Sequence, residues 1–162
     1  MYEIDKIDRD IVNLLMEDGR MAASEIARRI GEISERSVRY RIERMVSEGV
    51  MKISAIPNPK ALGFTVVADV WLVVDSGYVS AVAQSIAAFD CVTYVATSIG
   101  ERDVSVQIIA RSNEEIYNIV TEQFGRIPGV RKTNTSIVPI ILKDIYDWHV
   151  PLDIGFDKVN AD

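Results

Sequence analysis

Residues 23–49 read ASEIARRIGEISERSVRYRIERMVSEG, and this stretch decides the architecture of the first third of the chain. Ile26, Ala27 and Ile30 recur at helical spacing and stop at Gly31, while Val38, Ile42, Met45 and Val46 form a further stripe that stops at Gly49. Ser34 stands where an N-cap is needed, framed by Ile33 and Val38 as a hydrophobic staple. Two short helices across a tight Gly-containing turn predict a helix-turn-helix. Upstream, Ile11, Leu14 and Leu15 make an earlier stripe, which Asp8 is expected to open as N-cap, with Ile7 and Val12 as its staple, and Gly19 to close. Downstream, Val50-Met51-Lys52-Ile53-Ser54 is β-prone and placed to start a wing.

On a wheel of about 100° per residue, the face of the third helix opposite its apolar stripe holds Arg36, Tyr40, Arg44 and Ser47. Ser37 and Glu43 sit at the edges of that face, and Arg39 and Arg41 on its flanks. Arginine reads guanine edges or clamps phosphate, and serine and tyrosine hydroxyls hold the backbone. Arg36, Ser37, Arg39, Tyr40, Arg41 and Arg44 are therefore the candidate contacts to double-stranded DNA. The competing use of these arginines is a solvated face in which Arg39 pairs with Glu35 or Glu43 one turn away.

Charge supports a nucleic-acid partner only when it is counted by region. The 162 residues carry a net charge of −6, but residues 1–60 hold 11 cations and 11 anions, whereas residues 61–162 hold 7 and 13. Five arginines fall between Arg28 and Arg41. Phosphate contacts dominate DNA affinity, so the local balance of the first region is the relevant one.

Pro57-Asn58-Pro59 interrupts the helical pattern and marks a boundary. Beyond it, residues 64–75 read as a strand and residues 77–89 as a helix carrying Val79, Val82, Ala83 and Ile86. Strands follow near 92–99 and 103–111, split by Gly100. Ser112 and Glu115 make a capping box for a helix that buries Ile116, Ile119, Val120 and Ile127. A last strand covers roughly 130–142, at a sheet edge because Pro139 cannot donate to a ladder. The order β-α-β-β-α-β predicts a ferredoxin-like domain. The fold class is thus α+β: a winged helix-turn-helix over 1–56, a hinge over 57–63, the βαββαβ domain over 64–143 and a tail over 144–162. In this fold both helices cover one sheet face. The first strand is nevertheless apolar on both alternations, with Phe64, Val66, Ala68, Val70 and Leu72 on one and Val67, Trp71 and Val73 on the other. An uncovered apolar face predicts self-association.

The composition removes much enzyme chemistry. Cys91 and His149 are the sole cysteine and histidine, so disulfides within the chain and Cys- or His-based metal clusters are excluded. No cofactor and no metal are expected. No run approaches the ~20 apolar residues of a membrane span, and the acidic start does not read as a signal peptide, so the expectation is a soluble, cytoplasmic protein with no membrane partner.

The run Asp18-Gly19-Arg20, then Glu25-Ile26-Ala27-Arg28-Arg29-Ile30-Gly31, Ser34, Val38-Arg39-Tyr40-Arg41-Ile42 and Glu48-Gly49-Val50 resembles the Lrp/AsnC (feast/famine) family of prokaryotic transcription regulators, in its archaeal form. Gly100-Glu101-Arg102-Asp103 resembles that family's Gly-x-x-Asp turn, and Pro128-Gly129-Val130 with Thr133 and Thr135 fits as well. The likeness spans about residues 4–143. It implies homodimers that assemble into tetramers or octamers, a pseudo-palindromic operator and an amino-acid-like effector at a subunit boundary. In that reading Asp103 holds an ammonium group, while backbone amides near Ser98–Gly100 and the hydroxyls of Thr133 and Thr135 hold a carboxylate. Glu101 and Arg102 complete the candidate effector set of Ser98, Gly100, Glu101, Arg102, Asp103, Thr133 and Thr135.

Three features depart from the family pattern. The turn Gly31-Glu32-Ile33-Ser34 is one residue longer than usual. Arg102 stands where an aromatic is common, either to favour an acidic ligand or to pair with Glu101 or Asp103. The tail extends past the usual end, and its aromatics Tyr146, Trp148 and Phe156 suggest docking onto a neighbour. Two other functions share parts of this pattern. Sirohaem decarboxylases resemble the same two-domain architecture, though proton transfer would then fall to the isolated His149. A metabolite-binding co-regulatory oligomer without DNA contact would not need the outward arginines.

Overall fold

Helix α1 (Lys6–Glu17) starts one turn earlier than the sequence suggests. Asp5 caps it: its carboxylate accepts from the Asp8 N–H at 2.9 Å, and the Asp8 carboxylate accepts in return from the Asp5 N–H at 3.2 Å. This reciprocal pair needs an acceptor at the third helical position, which Asp8 supplies. Ile7 and Val12 therefore lie inside the helix and pack on the core instead of stapling its entrance. The computed structural model describes residues 3–151, divided into one unit of residues up to Ile56 joined by those from Leu142 onward, and a second unit, Pro57–Ile141.

In the first unit α2 (Ala23–Ile30) ends at Gly31, whose φ of +82° glycine adopts without strain. Helix α3 (Glu35–Ser47) is capped by Ser34, whose Oγ accepts from the Ser37 N–H at 3.2 Å. Ile11, Ala23, Ile26, Val38 and Met45 form the buried centre of the three helices. The β-prone stretch after α3 forms no strand, so no wing ladder is present among the described residues. Val50 and Met51 are used otherwise: both pack on the helical core, and the Val50 N–H closes the end of α3 on the Met45 carbonyl at 2.8 Å.

The described part of the tail belongs to this same unit, which differs from the separate segment expected. The Asn13 carboxamide on α1 donates to the Val150 carbonyl at 3.1 Å and accepts from the Val150 N–H at 2.9 Å. Tyr146 and Trp148 remain about half exposed, and Phe156 lies outside the described residues.

The second unit runs β1 (Val66–Val74), α4 (Val79–Ala87), β2 (Val92–Thr97), β3 (Val104–Ala110), α5 (Asn113–Asn118) and β4 (Val130–Ile137). The antiparallel sheet has the order β2-β3-β1-β4, as the ferredoxin-like reading requires. Ala68, Val70, Leu72 and Val74 face Val82 and Ile86 of α4 and Ile116 of α5 across a continuous core. Strand β4 is an edge strand but ends at Ile137, so Pro139 lies beyond the ladder. Ser112 caps α5 as expected, whereas the Glu115 carboxylate reaches one residue further back, accepting from the Arg111 N–H at 2.7 Å.

Helix α5 does not continue as a regular helix. It widens into a π turn over Ile119–Gln123, tightens into a 3-10 turn over Phe124–Arg126 and ends at an extended Ile127. The extra residue in the π turn swings Phe124 into the core, where it is fully buried edge-on to Phe89 at 5.4 Å. Ile127, expected inside, is only partly buried. Before β4, Gly129 has φ +93°, and a Cβ there would lie 2.4 Å from the Cβ of Tyr78, so the position admits no side chain.

Candidate nucleic-acid interface and effector site

Helix α3 displays Arg36, Ser37, Arg39, Tyr40 and Arg44 at exposed positions, as its apolar stripe dictates. Tyr40 is 61% exposed, and Arg36 makes no ion pair among the described residues. The Ser37 hydroxyl accepts from Ser34 Oγ at 3.2 Å. Arg39 donates through Nε to Glu35 at 3.1 Å, which is the pairing that the i, i+4 spacing permits. With both partners largely in solvent, that pair is worth ~0–1 kcal/mol and yields readily to a phosphate. On α2, Arg28 and Arg29 both bind Glu25, and their hydrogen bonds hold its carboxylate down at about 2.

Arg41 departs from the expected interface. It turns inward, and its Nη1 donates to Asp8 at 2.7 Å and to Asp5 at 2.8 Å. Asp8 is 1% exposed, so the guanidinium neutralises a buried carboxylate and ties α3 to the start of α1. Arg41 is thus a structural anchor. The boundary position of Arg41 beside Val38 and Ile42, together with an aspartate at a core-facing position of α1, was the signal for it.

The candidate effector residues split into two groups. Around the β2–β3 turn, the Ser98 N–H donates to the Asp103 carbonyl at 2.9 Å and its hydroxyl donates to the Arg102 carbonyl at 3.0 Å, so both donors serve the hairpin. Gly100, at φ +145°, makes the turn beside a fully exposed Ile99. The Asp103 carboxylate accepts from the Val74 N–H at 2.7 Å and closes the end of β1. Arg102 pairs with neither Glu101 nor Asp103 among the described residues; its guanidinium lies over the Trp71 ring, 4.4 Å from the centroid.

Thr133 and Thr135 sit elsewhere. They pair with Leu72 and Val70, which places them on the helix-covered side of the sheet at its edge. Trp71, by contrast, pairs with Asn134, and Val73 with Lys132, on the uncovered side. Trp71, Val73, Glu101, Arg102, Lys132 and Asn134 line one cleft of about 200 Å³. Lys132 and Asn134 escaped the sequence reading because only the β1–β4 register brings them beside Trp71. The uncovered face is also more polar than β1 alone implied: Asp69 lies opposite Gln107 and accepts from its Nε2 at 3.1 Å.

Among the described residues no three His, Cys, Asp or Glu side chains are grouped so as to hold a metal ion, and no helix is long and apolar enough to cross a membrane. Residues 4–46 match the AsnC-type helix-turn-helix domain, and residues 67–146 match the Lrp/AsnC ligand binding domain. An uncharacterised HTH-type transcriptional regulator of Pyrococcus horikoshii is 37% identical over 142 residues, 87% of this chain and 89% of that protein. The HTH-type transcriptional regulator FL11 of Pyrococcus abyssi is 34% identical over 136 residues, 83% of this chain and 89% of its own length. Among solved structures, E. coli AsnC superposes with a TM-score of 0.80 at 26% identity, covering 90% of this chain and 99% of AsnC. A Neisseria meningitidis transcriptional regulator solved with L-methionine shares the fold, with a TM-score of 0.84 at 20% identity over 93% of this chain and 98% of its own. Its two domains, their order and these relatives place the chain in the Lrp/AsnC family of transcriptional regulators.

Proposed function

We propose that the protein binds a pseudo-palindromic operator as a homodimer, or as a tetramer or octamer built from it, and that a small amino-acid-like effector switches it. The observation that carries the reading is the outward face of α3, where Arg36 and Tyr40 stand exposed with Arg44 beyond them. Paired copies of such a helix favour half-sites about one or two helical turns apart. A partner of this kind places the protein in the cytoplasm, beside the DNA. The L-methionine held by the Neisseria regulator supports an amino-acid effector, and the kinship with regulators supports a role without catalysis.

Fluorescence anisotropy on upstream DNA tests the interface. Arg36→Ala is expected to weaken binding about tenfold or more, and to relax base preference if Arg36 reads a base edge. Arg39→Ala should cost less, since Arg39 already shares Glu35. Unchanged affinity in both variants would overturn the assignment of this face.

The dimer is assigned to the uncovered face of the sheet, where Trp71, Val73, Tyr94 and Ile109 remain partly or largely exposed. Each large side chain buried there contributes ~1.5–3 kcal/mol. Sedimentation should show a dimer or larger species at micromolar concentration, and a stable monomer would refute the assignment.

A further inference from the structure

Among the arginines that α3 turns outward stands one acid, Glu43, to which the reading of that face gives no role. We propose that Glu43 determines sequence specificity, its carboxylate accepting a hydrogen bond from the N4 amino group of a cytosine in each half-site. This rests on reading the outward face of α3 as the DNA-binding surface, and it names the base that one operator position must carry.

Glu43 follows Arg36 by seven residues, which sets the two side chains about 20° apart around the helix and about 10 Å apart along it. They share one ridge and are spaced to address different base pairs. Glu43 is exposed, and with Ser34, Glu35, Arg36, Arg39 and Tyr40 it lines one concave surface. Arg39 stands four residues before it, at a spacing that permits an ion pair. The guanidinium nevertheless donates through both Nε and Nη2 to Glu35. Among the described residues Glu43 makes no hydrogen bond and no ion pair.

A bare carboxylate carried into a groove walled by phosphates costs affinity on every sequence. The cost is offset only where a base edge presents a donor with no acceptor beside it. In the major groove guanine presents the acceptors N7 and O6, thymine the acceptor O4 beside a methyl group, and adenine an N6 amino group next to the acceptor N7. Cytosine presents its N4 amino group alone. An ionised carboxylate accepts and cannot donate, so cytosine matches Glu43 and the other three bases repel it. Glu43 thus acts by exclusion: the arginines attract any duplex, and the acid penalises the wrong ones.

Binding-site selection from a randomised duplex library by the full-length protein, followed by sequencing, decides the matter. The wild type should select cytosine at one position of each half-site, and Glu43→Ala should relax that position alone. Glu43→Gln should move the preference there to adenine, because a carboxamide accepts from N6 and donates to N7 at once. In fluorescence anisotropy, replacing this cytosine should weaken the wild type about tenfold or more, and Glu43→Ala less than about twofold. Both variants should bind an unrelated duplex more tightly than the wild type does, since each removes a negative charge. Neither substitution removes a contact that holds α3, because Glu43 is exposed. The same selected motif in all three proteins would overturn this assignment and leave the α3 face standing as the interface. Relaxation by Glu43→Ala only at positions that select another base would overturn it as well. No motif selected by any of the three would overturn both readings.

Discussion

Replacing Arg41 with alanine is expected to cost the first unit about 3–5 kcal/mol, enough to unfold much of it at physiological temperature. The size follows from what is left behind. Asp8, 1% exposed, would keep the bond from the Asp5 N–H but lose the guanidinium that balances its charge. Asp5 adds a second carboxylate at 2.8 Å from the same nitrogen. Urea unfolding followed by far-UV circular dichroism measures the loss. Arg39→Ala on the same helix, whose pair is solvent-exposed, should shift stability by less than about 1 kcal/mol. Equal effects of the two substitutions would refute the anchor. Acid should act in the same direction. Burial pushes the Asp5 carboxyl up, but the Asp8 N–H and Arg41 outweigh it and hold it below its usual value. Its contribution is therefore complete at neutral pH and is lost as pH falls through the depressed value, a loss that Asp5→Asn should abolish.

Phe124→Ala is expected to cost the second unit about 3–5 kcal/mol, the usual range for deleting a fully buried ring. Phe124 is 0% exposed and packs edge-on against Phe89, with ring planes at 69°. The backbone on both sides is locked into π and 3-10 turns, so the segment cannot readily collapse into the space. Phe124→Leu should recover part of the loss by filling it. Chemical unfolding followed by the fluorescence of Trp71, in a background where Trp148 is replaced by phenylalanine, reads the second unit, and a cost below about 1 kcal/mol for the alanine variant would mean that Phe124 does not hold this core.

These two residues also show where the sequence stops being readable. The apolar stripes of α2, α3 and β3 are periodic, and periodicity predicts their elements and most of their buried faces, although Val46 of the α3 stripe is 44% exposed. Phe124 breaks the rule because a regular wheel sets it about 80° from Ile116, and only the inserted π turn brings it within about 20°. Arg41 sits on the border of its stripe, where a wheel cannot distinguish an exposed cation from one drawn inward by a buried acid. The shifted start of α1 has the same origin: Asp5 and Asp8 both fit an N-cap, and the structure uses both in one capping box, with Arg41 of α3 holding both carboxylates. In the effector region the motif located the β2–β3 turn correctly. The alignment of β4 on β1 is a long-range property, however, and it sends Thr133 and Thr135 to one side of the sheet and Lys132 and Asn134 to the other.

The clamp between Asn13 and Val150 makes the second unit an insertion within the first. The chain leaves the helical unit after Ile56 and rejoins it at Leu142, so residues 57–141 form the loop that the clamp closes. While that loop is folded, its ends are held and closure costs little conformational entropy. Once it unfolds, the same contacts must close a long flexible chain, and the entropic cost rises with the logarithm of its length. The two units therefore share stability through topology alone. Excising residues 1–56 as an isolated DNA-binding fragment also removes the backbone of Val150, which satisfies the Asn13 carboxamide.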